Sequence, residues 1–107
     1  EVELEAKYTE LVSKVRRNYP SAAIFCALPA SLTNDHPEGY RAYDKMKRIL
    51  EHIVGARSAS GDERTYYFEF PRVEDSDRTG CDYHVGAAFH VRAANALSAA
   101  LRATMAW

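Results

Sequence analysis

The sequence predicts an α/β fold with parallel strands, its elements running α-β-α-β-α. Two amphipathic helical patterns and an alanine-rich third alternate with two short strand-like runs. One of those runs, Ala22–Leu28, carries no charge and is bounded by prolines, as a strand buried on both faces is. Strands separated by helices are joined by right-handed crossovers, which bring them parallel and cover both faces of the sheet with helices.

The first helix rests on Leu4, Tyr8, Leu11, Val12 and Val15, spaced by threes and fours with Glu and Lys between them. It should stop at Asn18-Tyr19-Pro20, because a residue before proline is pushed out of the α region and Asn tolerates a left-handed cap. After the Ala22–Leu28 strand, Thr33-Asn34-Asp35-His36-Pro37-Glu38 offers cap residues followed by a proline suited to a first helical turn. Tyr40, Tyr43, Met46, Ile49, Leu50, Ile53 and Val54 mark the second helix, expected to close near Gly55, with Arg57–Glu63 as a polar surface connection. Thr65–Phe70 is aromatic, β-favouring and ended by Pro71. A charged loop, Glu74–Gly80, leads past His84 to the last helix, with Ala88, Phe89, Val91, Ala94, Leu97, Ala100, Leu101 and Met105 on its expected apolar face.

At 107 residues, 47% hydrophobic and 27% charged, the chain is in the range of one globular domain with one modest core. A chain of this size buries about 60–70% of its unfolded surface, so a missing sheet neighbour would be felt. Two strands alone are both edges, so further strands are expected from an upstream segment or a second copy. The opening directly into helical periodicity reads the same way, as a chain cut from something longer. Net charge is −1 with both signs interspersed, which gives no footprint for nucleic acid or an anionic membrane. No run approaches the roughly 18 apolar residues of a membrane span, and the acidic start, Glu1-Val2-Glu3-Leu4-Glu5, is unlike a signal peptide. Cys26 and Cys81 fit neither a CxxC motif nor a zinc ribbon, and their spacing leaves open whether they are two thiols or a disulfide.

In open parallel α/β sheets, sites form beyond the carboxyl ends of the strands, which directs attention to Pro29–Pro37 and Pro71–Gly86. The second loop is richer, with Asp75, Asp77, Cys81, Asp82 and His84 between Gly80 and Gly86. A histidine held there, before a helix, is placed to act as general base toward a nucleophile on a neighbouring strand loop.

The string Gly80-Cys81-Asp82-Tyr83-His84, followed six residues later by His90 at the start of a helix ending in Trp107, resembles the last conserved block of the SGNH/GDSL hydrolases. It is most similar to carbohydrate esterase family 2, whose Gly-Cys-Asp-aromatic-His-Pro-Asn string precedes a Gly-His pair. The resemblance covers the whole chain, and Gly80–His90 is its specific part. It implies a three-layer α/β/α, flavodoxin-like fold of which this is the C-terminal portion. It also implies a secreted serine esterase acting on acetylated carbohydrate such as xylan, without a cofactor.

On this resemblance His84 is the catalytic base, taking a proton from a serine hydroxyl and returning it to the leaving alcohol. Asp82, two residues before, is either its imidazole partner or a loop carboxylate facing solvent. Cys81 stands where many SGNH enzymes have the orienting aspartate, and in the carbohydrate esterase branch main-chain carbonyls can serve instead. The chain departs from the family at Val85-Gly86 and Phe89. It contains no Gly-Asp-Ser or Gly-x-Ser-x-Gly, and its own serines lie in helices or polar loops without an elbow. The nucleophile and oxyanion hole are therefore expected from an upstream segment or companion chain, and this chain alone is expected to be a poor esterase.

Cys-x2-His-x5-His, formed by Cys81, His84 and His90, matches no common zinc spacing, so no metal is expected. His90 reads as a helix-start residue bonding nearby backbone, and His36 and His52 as surface residues without a nameable partner. Tyr40 and Tyr43 could line a sugar cleft, though their spacing is that of an ordinary buried helix face. The competing expectation, from a different class, is a non-catalytic α/β module that completes its sheet by dimerisation or by binding a partner chain.

Overall fold

The computed structural model describes all residues, Glu1–Trp107, and contains α1 (Val2–Asn18), β1 (Ile24–Leu28), α2 (Ala42–Ala59), β2 (Thr65–Glu69) and α3 (Ala87–Met105). The α/β order read from the sequence is the order observed. β1 and β2 pair as a two-stranded parallel sheet. They meet start to start, with the Ile24 amide donating to the Arg64 carbonyl at 2.9 Å. The chain divides into two compact units, residues 1–28 with 32–67, and residues 29–31 with 68–107.

In the first unit, Val12, Cys26, Leu28, Tyr43, Ile49, Leu50 and Ile53 form the core. Leu28, Ile49 and Leu50 are fully buried, each contributing about 1.5–3 kcal/mol relative to an exposed position. Of the α1 stripe only Val12 is buried, while Leu4 and Leu11 are exposed. Tyr43 belongs to this core, which settles its place as a helix-face residue; Tyr40 is half exposed with the Lys45 ammonium 3.9 Å from its ring centre. α1 and α2 are further tied by Arg48 to Glu1 and by His52 to Glu5, a partner for His52 that sequence spacing could not supply.

The helix ends differ from expectation in instructive ways. α1 stops at Asn18, but its cap is Tyr19 in an extended conformation (φ −133°), as the following proline favours, rather than a left-handed Asn. α2 begins at Ala42, five residues after the proline that the sequence places in its first turn. The cap residues still act, from a distance: the Thr33 carbonyl accepts from the Tyr43 amide at 3.3 Å and Asn34 Oδ1 from the Asp44 amide at 3.1 Å. These bonds satisfy donors that the helix itself leaves open. Gly55 does not close α2, which runs on to Ala59 and turns out through Gly61 at φ +95°. At Gly61, and not at Gly55, the backbone favours a glycine.

The end of α2 is held by a buried polar cluster. Arg16 donates to Asp62 through Nε and Nη2, both at 3.0 Å, and Arg57 donates to Asp62 Oδ2 through Nε at 3.0 Å and Nη2 at 2.9 Å. The Thr65 hydroxyl and the Arg64 amide add further bonds to the same carboxylate. Arg16 Nη1 also serves the Tyr19, Pro20 and Ala22 carbonyls, tying α1, the approach to β1, the end of α2 and the start of β2 together.

In the second unit, α3 buries Phe89 and Ala93. Of the residues read from the sequence, Phe89, Leu97 and Leu101 lie on the inner side of the helix with Ala93, while Ala88, Val91 and Ala94 are exposed. Phe68 and Phe70 pack edge to face, centroids 4.8 Å apart.

Candidate active site

The segment from Glu74 to Gly86 is irregular backbone with a dense set of internal bonds. A 3-10 turn at Asp75–Asp77 begins with a reciprocal cap, in which Asp77 Oδ2 accepts from the Glu74 amide at 2.8 Å. Two bonds from Arg92 on α3 reach the same carboxylate, Nη1 to Oδ1 at 3.0 Å and Nη2 to Oδ2 at 2.7 Å. The Arg92 guanidinium and the Glu74 amide hold the Asp77 carboxyl below the usual carboxylate range. The Asp77 carbonyl accepts from the Gly86 amide at 2.9 Å, and the Gly80 amide donates to the His84 carbonyl at 2.9 Å. The loop is thereby closed twice on either side of His84.

Two glycines make that closure possible. A Cβ on Gly86 would lie 1.8 Å from the Thr79 hydroxyl, and one on Gly80 would lie 3.0 Å from the His84 carbonyl oxygen. Between them, Asp82 and Tyr83 both adopt left-handed backbone, φ +52° and +60°. Such conformations are costly for non-glycine residues and gather where a chain is shaped for a site. The Arg78 guanidinium caps the Tyr83 carbonyl at 2.9 Å, helping to hold the turn.

The turn brings the His84 ring back over the residue three before it. Its Nδ1 lies 2.8 Å from the Cys81 main-chain carbonyl oxygen. A carbonyl only accepts, so Nδ1 carries a proton and, in the neutral ring, Nε2 is the basic nitrogen, with no hydrogen-bond partner. This is the tautomer that can remove a proton from a hydroxyl. The carbonyl of Cys81 occupies the orienting position for which Asp82 was considered, and the Asp82 side chain is exposed and makes no bond to the ring. The left-handed backbone at Asp82 turns its side chain out of the loop.

His90 stands apart from this arrangement. Its ring packs edge to face on Phe89, centroids 6.2 Å apart, and its amide donates to the Gly86 carbonyl at 3.4 Å, the backbone bond of a helix-start residue. It borders an apolar cavity of about 320 Å³ whose walls include Pro29, Phe70, Val73, Val85 and Phe89. Cys81, Asp82, His84 and His90 do not converge as a ligand set. Cys26 and Cys81 are both free thiols, the first buried and the second exposed. Burial pushes the Cys26 thiol up, against a smaller opposing effect of its hydrogen bond with Tyr8.

The sequence singled out this loop and His84, but not the residues that shape it. Asp77 and Arg78 fall in a run that reads as a charged loop, and Arg92 carries no signal in the sequence. Sequence spacing gives no trace of the pair, since Arg92 is fifteen positions from Asp77 and no periodicity links them.

No family model matches the chain. A cellulase/esterase CelE of Acetivibrio thermocellus is 34% identical over 100 residues, covering 94% of this chain and 12% of that protein. Among solved structures, a family two carbohydrate esterase from Clostridium thermocellum in complex with cellohexaose superposes with a TM-score of 0.84 at 32% identity. An active-site mutant of a family two carbohydrate esterase from the same organism superposes equally well, with a TM-score of 0.84. In both cases the match covers 96% of this chain and 30% of the solved chain. The chain thus spans about a third of the structures it matches and a far smaller share of the curated relative. In sequence and in fold, over nearly its whole length, the chain is similar to a segment of a family 2 carbohydrate esterase.

Proposed function

We propose that this chain is the C-terminal part of an SGNH-type serine esterase that removes acetyl groups from carbohydrate such as xylan, with His84 as general base and then general acid. The observation that carries the reading is the Nδ1–H bond of His84 to the Cys81 carbonyl, which leaves Nε2 free to accept a proton. In the reaction, Nε2 takes the proton of a serine hydroxyl as its oxygen attacks the acetyl carbon. The resulting imidazolium then gives that proton to the departing sugar alcohol, and a water repeats the sequence to release acetate. Positive charge on the ring in the intermediate is met by the Cys81 carbonyl dipole, so the pair acts as a dyad without a carboxylate.

The serine and the oxyanion donors belong, in this proposal, to an upstream segment or a companion chain. The two-stranded sheet supports it, because β1 and β2 each leave one edge unpaired, which further parallel strands would fill. Tyr83 supports the substrate class: its ring is 82% exposed and directly precedes His84, where an aromatic face can stack on a sugar. An extracellular setting goes with a polysaccharide substrate.

The test is to express the protein with its upstream region, or this chain together with a companion bearing a Gly-Asp-Ser block, and to assay release of acetate from acetylated xylan. His84→Ala should lower kcat by about 10⁴-fold or more. Acetate release that survives this substitution overturns the proposal.

A further inference from the structure

Around His84 the structure does more than supply an acceptor for the ring. The ring and its acceptor, Cys81, belong to one short turn whose ends are both fastened to Asp77. Its entry is fastened where the Thr79 amide donates to the Asp77 carbonyl at 3.0 Å. Its exit is fastened where the Gly86 amide donates to that same carbonyl at 2.9 Å. Asp77 in turn is fixed by its side chain, which receives two bonds from Arg92 and one from the Glu74 amide. Arg92 projects from the second turn of α3 and its guanidinium carbon also lies 5.1 Å from the Phe89 ring centre. Phe89 is buried, so the strut ends on a rigid helix rather than on loop.

A carboxylate 9% exposed, gripped by a guanidinium that is itself nearly half exposed, is a directional anchor rather than a solvated charge pair. The fork of Arg92 fixes both position and plane of the Asp77 carboxylate, which a single point charge could not. This pair is the salt bridge that ties the loop to α3. A ring held only by one bond to a loop carbonyl would follow any drift of that loop.

We propose that Asp77, clamped by Arg92, is the positioning residue that fixes the His84 turn, keeping the ring in its Nδ1–H tautomer with Nε2 aimed at the nucleophile. The proposal rests on the reading of His84 as the base. Asp77 touches no substrate and acts through the backbone of the turn. Catalytic geometry is sensitive to such support, since a base displaced by one ångström no longer meets its proton.

The experiment uses the full-length protein labelled with ¹⁵N at histidine, in which the ring nitrogens of His84 are identified by their loss in His84→Gln. The wild-type ring should show the Nδ1–H pattern. Arg92→Ala should shift it toward a mixture of tautomers and lower kcat by about ten- to a hundred-fold with KM little changed. Arg92→Lys, which keeps the charge but not the fork, should fall between. A wild-type tautomer pattern and wild-type kcat in Arg92→Ala, with helix content intact, would overturn the proposal. Should Arg92→Ala melt α3, Asp77→Asn decides, because it leaves the helix sequence untouched: an unchanged ring pattern there overturns it equally. If His84 were not the base, His84→Gln would keep its esterase activity while the ring pattern still answered to Arg92, so the two failures are separable.

Discussion

Arg16 and Asp62, on α1 and beyond the end of α2, face each other through two bonds of 3.0 Å, with side chains only 14% and 12% exposed. Arg57, the Thr65 hydroxyl and the Arg64 amide complete the carboxylate's shell. Removing the acceptor leaves two guanidinium groups partly buried without their counter-charge. Asp62→Ala should therefore destabilise the fold by about 2–4 kcal/mol, read as a lower urea midpoint with little change in slope.

The same carboxyl sets an acid limit. Burial alone would raise its pKa, but the bonds from Arg16, Arg57, Thr65 and the Arg64 amide outweigh burial and hold it well below the ordinary carboxylate value. A group lowered in the folded state leaves the unfolded chain binding more protons. Its contribution is then fully present above the unfolded value of about 4 and is lost as pH falls further. In Asp62→Asn the fall in stability between about pH 5 and 2 should be shallower than in the parent, measured by urea unfolding at each pH.

Because the His84 ring bonds to the main chain of Cys81, the side chains beside it are dispensable to that bond. Asp82→Ala and Cys81→Ala in the full-length protein should each keep kcat within about fivefold of the parent, against the loss of several orders expected for His84→Ala. A collapse of activity in Asp82→Ala comparable to that in His84→Ala would restore Asp82 as the ring's partner.

Gly86 has no room for a side chain, its Cβ position being 1.8 Å from Thr79 Oγ1 and 3.2 Å from Thr79 Cβ. Gly86→Ala should cost about 1–3 kcal/mol by displacing Thr79 and the bond from Gly86 to Asp77. The double variant with Thr79→Ala removes the hydroxyl but not the Cβ, and should recover part of the thermal midpoint.

The cysteines differ sharply in access: Cys26 is 1% exposed, with a thiol pKa raised by burial, while Cys81 is exposed. A thiol reagent should modify Cys81 alone in the folded protein and both residues after denaturation, counted by intact mass. Rapid labelling of both in the folded protein would contradict the core around Cys26.

The sequence by itself determined the order of elements, because two strand runs and three helical periodicities differ in period and are separated by turn chemistry that acts locally. It also directed attention to the loop and His84, since the Gly80–His84 string is contiguous. Where each helix began or ended depended on bonds from elsewhere: Asn34 caps α2 from ten residues away, and α2 outlasts Gly55 because its end is anchored through Arg57 to Asp62. The partner of His84 was likewise decided by tertiary structure. Left-handed backbone at Asp82 and Tyr83 turns the Asp82 carboxylate outward and brings a carbonyl to the ring, and Asp77 and Arg92 meet across fifteen positions to hold that turn. Periodicity records which face of an element is apolar; it does not record which carbonyl a folded loop presents to a ring, because that is set by backbone dihedrals closed by contacts remote in sequence.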